Sequence, residues 1–193
     1  ELKINFNRTF LNPAQIFIIS FIIIIIIGAL LLLLPNATQQ KISFIDALFT
    51  STSAVCVTGL AVVDTNMHFT KLGQSIILLL IQVGGLGILT FASYFSYFFK
   101  DGTTYENHLA LGDITSSKKL GEVFSILKYI ILITIGIEAF SAFLIYISVQ
   151  EEYFNSYSDQ IFFSIFHAVS AFCNAGFSTL SNSLYESDFR FNY

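Results

Sequence analysis

The chain is short of charge. Of its 193 residues only 11% are Asp, Glu, Lys or Arg, while 54% are apolar; a soluble domain carries about 25% charged residues. That shortage excludes an ordinary water-soluble enzyme, and the apolar excess excludes a disordered segment. Nine Lys and Arg against thirteen Asp and Glu leave a net charge of −4, which excludes nucleic-acid binding through a basic surface. Two cysteines, Cys56 and Cys173, are too few for a disulfide framework or a cysteine-based metal site. Trp is absent and Met occurs once, whereas Phe occurs 22 times. With a mean hydropathy of +0.72, these proportions describe a chain solvated by lipid, an integral membrane protein.

Three apolar segments are long enough to cross about 30 Å of hydrocarbon as helices. They are Ile16–Leu34, opened by Asn12-Pro13 and closed by Pro35, then residues 76–99 and residues 124–149. Lys3 and Arg8 ahead of the first resemble the start of a signal peptide. A 19-residue run is longer than an h-region, however, and no A-x-A-like cleavage site follows, so it is read as a retained span. Two further apolar segments, Ser43–Ala54 and Ser158–Phe172, are too short to span and are read as buried or re-entrant. Ser43-Phe44-Ile45-Asp46 has the [ST]-x-x-[DE] pattern of a helix start. With Glu1 first and a polar stretch ending at Tyr193, the sequence is read as a fragment.

Lys and Arg set the orientation. Lys3, Arg8, Lys100, Lys118, Lys119 and Lys128 fall on one side of the spans, and Lys41, Lys71 and Arg190 on the other. The positive-inside rule makes the first side, with the N-terminus, cytoplasmic. Both short helices then enter from outside, flanked by Asp64, Glu151, Glu152, Glu186 and Asp188, an acidic rim that concentrates cations.

The chain also repeats itself. A shift of 117 residues aligns Phe49–Leu60 with Phe166–Phe177, and five of those twelve positions match: Phe, Ser, Ala, Cys and Gly. The expected fold is an all-α membrane protein built from repeated helix–pore loop–helix units. Residues 1–99 form the first unit, 100–122 a cytoplasmic loop, and 123–193 a second unit without its closing helix. Non-helical backbone at membrane depth needs a water-filled cavity or a protein environment. Loops 56–60 and 173–177 are such backbone, each following a short helix whose C-terminus carries about half a negative charge. Outward-turned carbonyls beside a glycine can there replace the hydration shell of a monovalent cation.

Three runs carry a family resemblance: Ser53-Ala54-Val55-Cys56-Val57-Thr58-Gly59-Leu60, Gln82-Val83-Gly84-Gly85-Leu86-Gly87, and Cys173-Asn174-Ala175-Gly176-Phe177-Ser178. Together they resemble the Trk/Ktr/HKT superfamily of potassium transporters. The resemblance implies four repeats around a pseudo-fourfold pore, with one filter glycine per repeat, here Gly59 and Gly176. It implies that the K+ ligands are backbone carbonyls of Val57, Thr58, Gly59, Asn174, Ala175 and Gly176, with no organic cofactor. It further implies homodimers of full-length subunits in a cell membrane, the bacterial inner membrane, and a cytosolic nucleotide-binding regulatory subunit.

Other readings stand beside this one. The two glycines are also the residues that commonly end a helix. Gly84, Gly85 and Gly87 suit close helix packing and need not touch an ion, so replacing Gly85 is expected to cost stability without changing ion preference. Glu138 lies mid-span, where a charge is costly, and suits either function or a hydrogen bond to a neighbouring helix. His167 suits a hydrogen-bonding position behind the filter, and His68 and His108 have no metal-site spacing. A two-pore-domain potassium channel subunit, a membrane-embedded enzyme using Glu138 and a histidine, and a membrane scaffold are the alternative functions.

Overall fold

The computed structural model describes residues 13–100, 116–149, 153–154 and 156–181. Lys3, Arg8, His108, Glu151, Glu152, Glu186, Asp188, Arg190 and most of the 100–122 connector lie outside them. Among the described residues the secondary structure is helical, apart from one isolated antiparallel bridge between Thr38 and Phe69.

Helix α1 (Pro13–Leu32) opens on a proline, whose missing N–H is no loss at the first helical position. It ends three residues before Pro35, which disfavours helical backbone at the residue preceding it. Helix α2 (Phe44–Val55) is capped by Ser43, whose oxygen accepts from the Asp46 N–H at 3.1 Å while its hydroxyl donates to Asp46 Oδ2 at 2.7 Å. A four-residue helix α3 (Thr65–His68) follows, capped by Asp64, which accepts from the N–H groups of Asn66 and Met67. Asp64, expected only as a rim charge, therefore also starts a helix. Helices α4 (Lys71–Lys100), α5 (Ser116–Ser148) and α6 (Tyr157–Phe172) complete the order.

Three of these helices hold stretches long and apolar enough to cross a membrane: Gln15–Leu32, Lys71–Thr90 and Leu127–Ser148. The chain is an all-α membrane protein. At 1.5 Å per residue, α2 and α6 reach only about 18 and 24 Å, too little to span.

α2 and α6 both pack on α4, α1 packs on α2, and α5 packs on α6. The core they share contains Ala54, Val55, Ile77, Ile81, Phe166 and Val169. Several hydroxyls on the short helices are spent locally, as where Thr50 donates to the Asp46 carbonyl and Ser164 to the Gln160 carbonyl, while Ser51 donates across to the Ile25 carbonyl on α1. Such i−4 bonds let polar residues sit among packed helices.

One level of the molecule is tied together by polar contacts. Lys71, at the head of α4, pairs with Asp159 in the first turn of α6. The buried Gln160 amide donates to the Tyr146 and Val149 carbonyls at 3.1 and 3.0 Å, satisfying orphan acceptors at the tail of α5. Asn66 donates to the Ser181 hydroxyl at 3.2 Å. The heads of α4 and α6 and the tail of α5 thus lie together, and α6 runs inward alongside α4.

Candidate functional site

Both short helices end in the same turn. Cys56 and Cys173 close them in right-handed backbone (φ −82° and −77°), and the next residues, Val57 and Asn174, are left-handed (φ 56° and 57°). The Val57 N–H donates to the Ala54 carbonyl at 3.2 Å and the Thr58 N–H to the Ser53 carbonyl at 2.9 Å. In the second copy Asn174 donates to Ala171 at 3.1 Å and Ala175 to Ser170 at 2.7 Å. This pair of bonds is a Schellman motif, which satisfies the last carbonyls of a helix. Asn adopts the left-handed region readily, whereas a β-branched Val there is an outlier. Strain of that kind persists only where the surroundings over-determine it.

The glycines come two residues later. Gly59 and Gly176 have φ of +71° and +70°, a region where only glycine is free of a Cβ penalty. Since Val57 and Asn174 hold the capping position, ending the helix does not account for either glycine. What they do instead is touch. A Cβ on Gly59 would stand 2.5 Å from the Ala175 carbonyl oxygen and 3.1 Å from Gly176 Cα, and one on Gly176 would stand 3.3 Å from Gly59 Cα. The two loops abut backbone to backbone.

Both loops rest on α4. A Cβ on Gly84 would overlap the backbone of Val55, the last residue of α2, and one on Gly85 would stand 2.6 Å from Cys173 Sγ, at the end of α6. These glycines lie thirteen and fourteen residues below Lys71, so both helices end about 20 Å down α4. That is well inside a hydrocarbon layer about 30 Å thick. Two helix C-termini, each with about half a negative charge, converge there. Gly84 and Gly85 do serve close packing, but what they pack against is the start of each loop. The expectation that Gly85 acts on stability alone is therefore amended.

Of the six candidate carbonyl residues, Thr58, Asn174 and Gly176 are exposed, Val57 and Gly59 are half-buried, and Ala175 is fully buried. Ala175 and Phe177 send their side chains into the core on either side of Gly176. The scaffolds behind the loops differ. In the first, the Thr58 hydroxyl reaches Ser53 Oγ at 3.1 Å. In the second, the Ser170 hydroxyl donates to the Phe177 carbonyl at 2.7 Å, and His167 Nε2 lies 3.0 Å from Ser178 Oγ. Ser170 is the serine that matches Ser53 in the 117-residue repeat and Ser178 ends a run that carries the resemblance, but neither signal shows which group each hydroxyl meets.

Glu138 on α5 is buried, and its Oε2 accepts from the Gln82 side-chain amide on α4 at 3.0 Å. Its Oε1 is buried and unpaired among the described residues. Gln82 belongs to the same run as Gly84 and Gly85, so this pair lies at the depth of the loops. Two lone polar residues in otherwise apolar spans were the available signal, since such groups find each other across helices.

Long apolar helices packed around two half-length helices that end together mark a multi-pass membrane protein with non-helical backbone near mid-depth. The comparisons with known proteins give the family. The chain matches the TrkH family, cation transport protein, over residues 3–190, and it belongs to that family. It is 42% identical over 173 residues to the Ktr system potassium uptake protein B of Bacillus subtilis, covering 90% of this chain and 38% of that protein. It is 37% identical over 179 residues to the potassium/sodium uptake protein NtpJ of Enterococcus hirae, covering 92% and 39% respectively. Against the Ktr system potassium uptake protein B of Vibrio alginolyticus the identity is 34% over 171 residues, covering 88% and 37%. The chain thus spans under two-fifths of the length of these relatives.

Proposed function

We propose that this chain is part of the pore-forming subunit of a Trk/Ktr-type potassium uptake system. K+ passes between the backbone carbonyls of Val57, Thr58 and Gly59 on one wall and those of Asn174, Ala175 and Gly176 on the next. The observation that carries this reading is the abutment of two positive-φ glycines, on turns of like geometry, where two helix C-termini converge. The names of the relatives, potassium uptake proteins, support the choice of ion.

The physical sequence of events follows from the loops. An arriving cation exchanges water for carbonyl oxygens, and the negative ends of α2 and α6 lower the cost of holding it unhydrated in a low-dielectric region. An inside-negative potential then drives it inward, at about 2.3 kcal/mol per charge for each 100 mV. The two remaining walls come from further repeats in the complete protein. Residues 1–99 and 123–193 act as the first and second units on either side of the 100–122 connector. Full-length subunits pair as homodimers in the bacterial inner membrane, N-terminus inside, and meet a cytosolic nucleotide-binding regulatory subunit.

Transport is tested by expressing the full-length protein in a bacterium stripped of its own potassium uptake. Growth on low potassium and saturable rubidium uptake are expected; correctly inserted protein that moves neither ion defeats the reading. Orientation has its own test. With the native cysteines of the full-length protein replaced, Lys41→Cys should react with an impermeant thiol reagent in intact cells. Reaction only after permeabilisation would reverse the entry side of both loops.

A further inference from the structure

His167 sits one turn behind the second loop and is buried, with two partners. Its Nδ1 lies 2.9 Å from the Phe163 carbonyl and its Nε2 lies 3.0 Å from Ser178 Oγ. A carbonyl only accepts, so Nδ1 carries the proton and donates along its own helix. The Ser178 oxygen already accepts from the Leu180 N–H at 3.0 Å. With the ring neutral, the Ser178 hydroxyl proton goes to Nε2, and all four polar groups are satisfied. Ser178 follows Gly176 by two residues, and between them the Phe177 carbonyl is drawn back by the Ser170 hydroxyl at 2.7 Å. The second loop is therefore held from behind at 177 and 178, immediately after the Ala175 carbonyl and Gly176 Cα that stand against Gly59 of the first loop. Among the described residues the first loop has no matching histidine: that position is Thr50, whose hydroxyl donates to its own helix, and the loop is held instead by the Thr58 hydroxyl on Ser53.

We propose that His167 is a positioning residue for ion selectivity: through its Nε2 bond to Ser178 it sets where the Gly176 carbonyl stands, and so how well the pore separates K+ from Na+. The proposal rests on the reading of 174–176 as a filter wall. Rings of carbonyls discriminate between ions by their placement and stiffness, and a buried hydrogen bond beside the loop limits both.

Two substitutions separate the two ring nitrogens. His167→Gln places a side-chain oxygen near the Nε2 position, able to accept from Ser178, and gives up the bond to Phe163. His167→Asn keeps a donor near Nδ1 and gives up the bond to Ser178. The measurement is the K+ to Na+ preference of the full-length protein, from competitive uptake in mixed salts, a ratio that does not depend on how much protein folds. The Asn variant and Ser178→Ala should each lower that ratio about fivefold, the size of one neutral hydrogen bond. The Gln variant should retain the ratio, and Ser178→Ala added to His167→Asn should lower it no further. An Asn variant with the wild-type ratio, or a Gln variant that loses it, overturns the proposal. Gly176→Ser in the same assay guards the underlying reading: if it leaves the ratio unchanged, the filter wall itself is misplaced, whatever the histidine variants do.

Discussion

Gly59→Ser in the full-length protein is expected to lower the preference for K+ over Na+ about tenfold. Two effects act together. At φ +71° a residue with a Cβ is strained by about 1–2 kcal/mol, and about 1.4 kcal/mol of lost discrimination is a factor of ten. The new Cβ would also stand 2.5 Å from the Ala175 carbonyl oxygen, closer than real contacts allow, so the substitution moves the neighbouring wall as well as its own. Gly176→Ser should act in the same direction but less strongly, because its Cβ would meet Gly59 Cα at 3.3 Å. Reversal potentials in asymmetric K+ and Na+ solutions give the ratio directly. A Gly59→Ser protein with wild-type selectivity would remove the loops from the ion path.

Gly84→Ala should be among the most damaging methyl additions to the described residues. Its Cβ would overlap the Val55 carbonyl, which is backbone and can yield only if the end of α2 moves. Overpacking of this kind costs about 1–3 kcal/mol, and a backbone obstacle puts Gly84 at about 3 kcal/mol. Gly85→Ala meets the Cys173 sulfur at 2.6 Å, a side chain that can turn aside at smaller cost. Gly136→Ala on α5 meets nothing within 4 Å and should be neutral. Heating the purified full-length variants and following the surviving folded fraction ranks them. Equal stability of the Gly84 and Gly136 variants would mean that α2 does not rest on α4 at this point.

Much of the fold is legible in the sequence because lipid imposes one local rule, a long apolar run for each span. The three spanning helices and the cap at Ser43 follow from composition and spacing. Helix boundaries differ by up to eight residues: α4 begins at Lys71 rather than 76, and α5 at Ser116 rather than 124, inside the stretch expected to be the 100–122 loop, since polar first turns are invisible to an apolar count. The short helix α3 escapes such a count altogether, although Asp64-Thr65 is a capping pair in hindsight. The contacts that build the candidate site are a different matter. Gln82 with Glu138, Gly85 with Cys173, and Gly59 with Gly176 join residues 56 to 117 positions apart. No periodicity encodes them, and the 117-residue shift gave the correspondence of the two loops without their contact. Capping by Val57 was likewise unreadable, because a β-branched residue is the last choice for left-handed backbone.

The most direct test is to see the ion. Crystals of the full-length protein grown in rubidium or thallium salts would locate bound cations by anomalous scattering. Density is expected beside the abutting Gly59 and Gly176, within coordination distance of carbonyls from residues 57–59 and 174–176, and it should weaken when sodium replaces the heavier ion. Density absent from those carbonyls and standing instead against the Glu138 carboxylate would contradict the account.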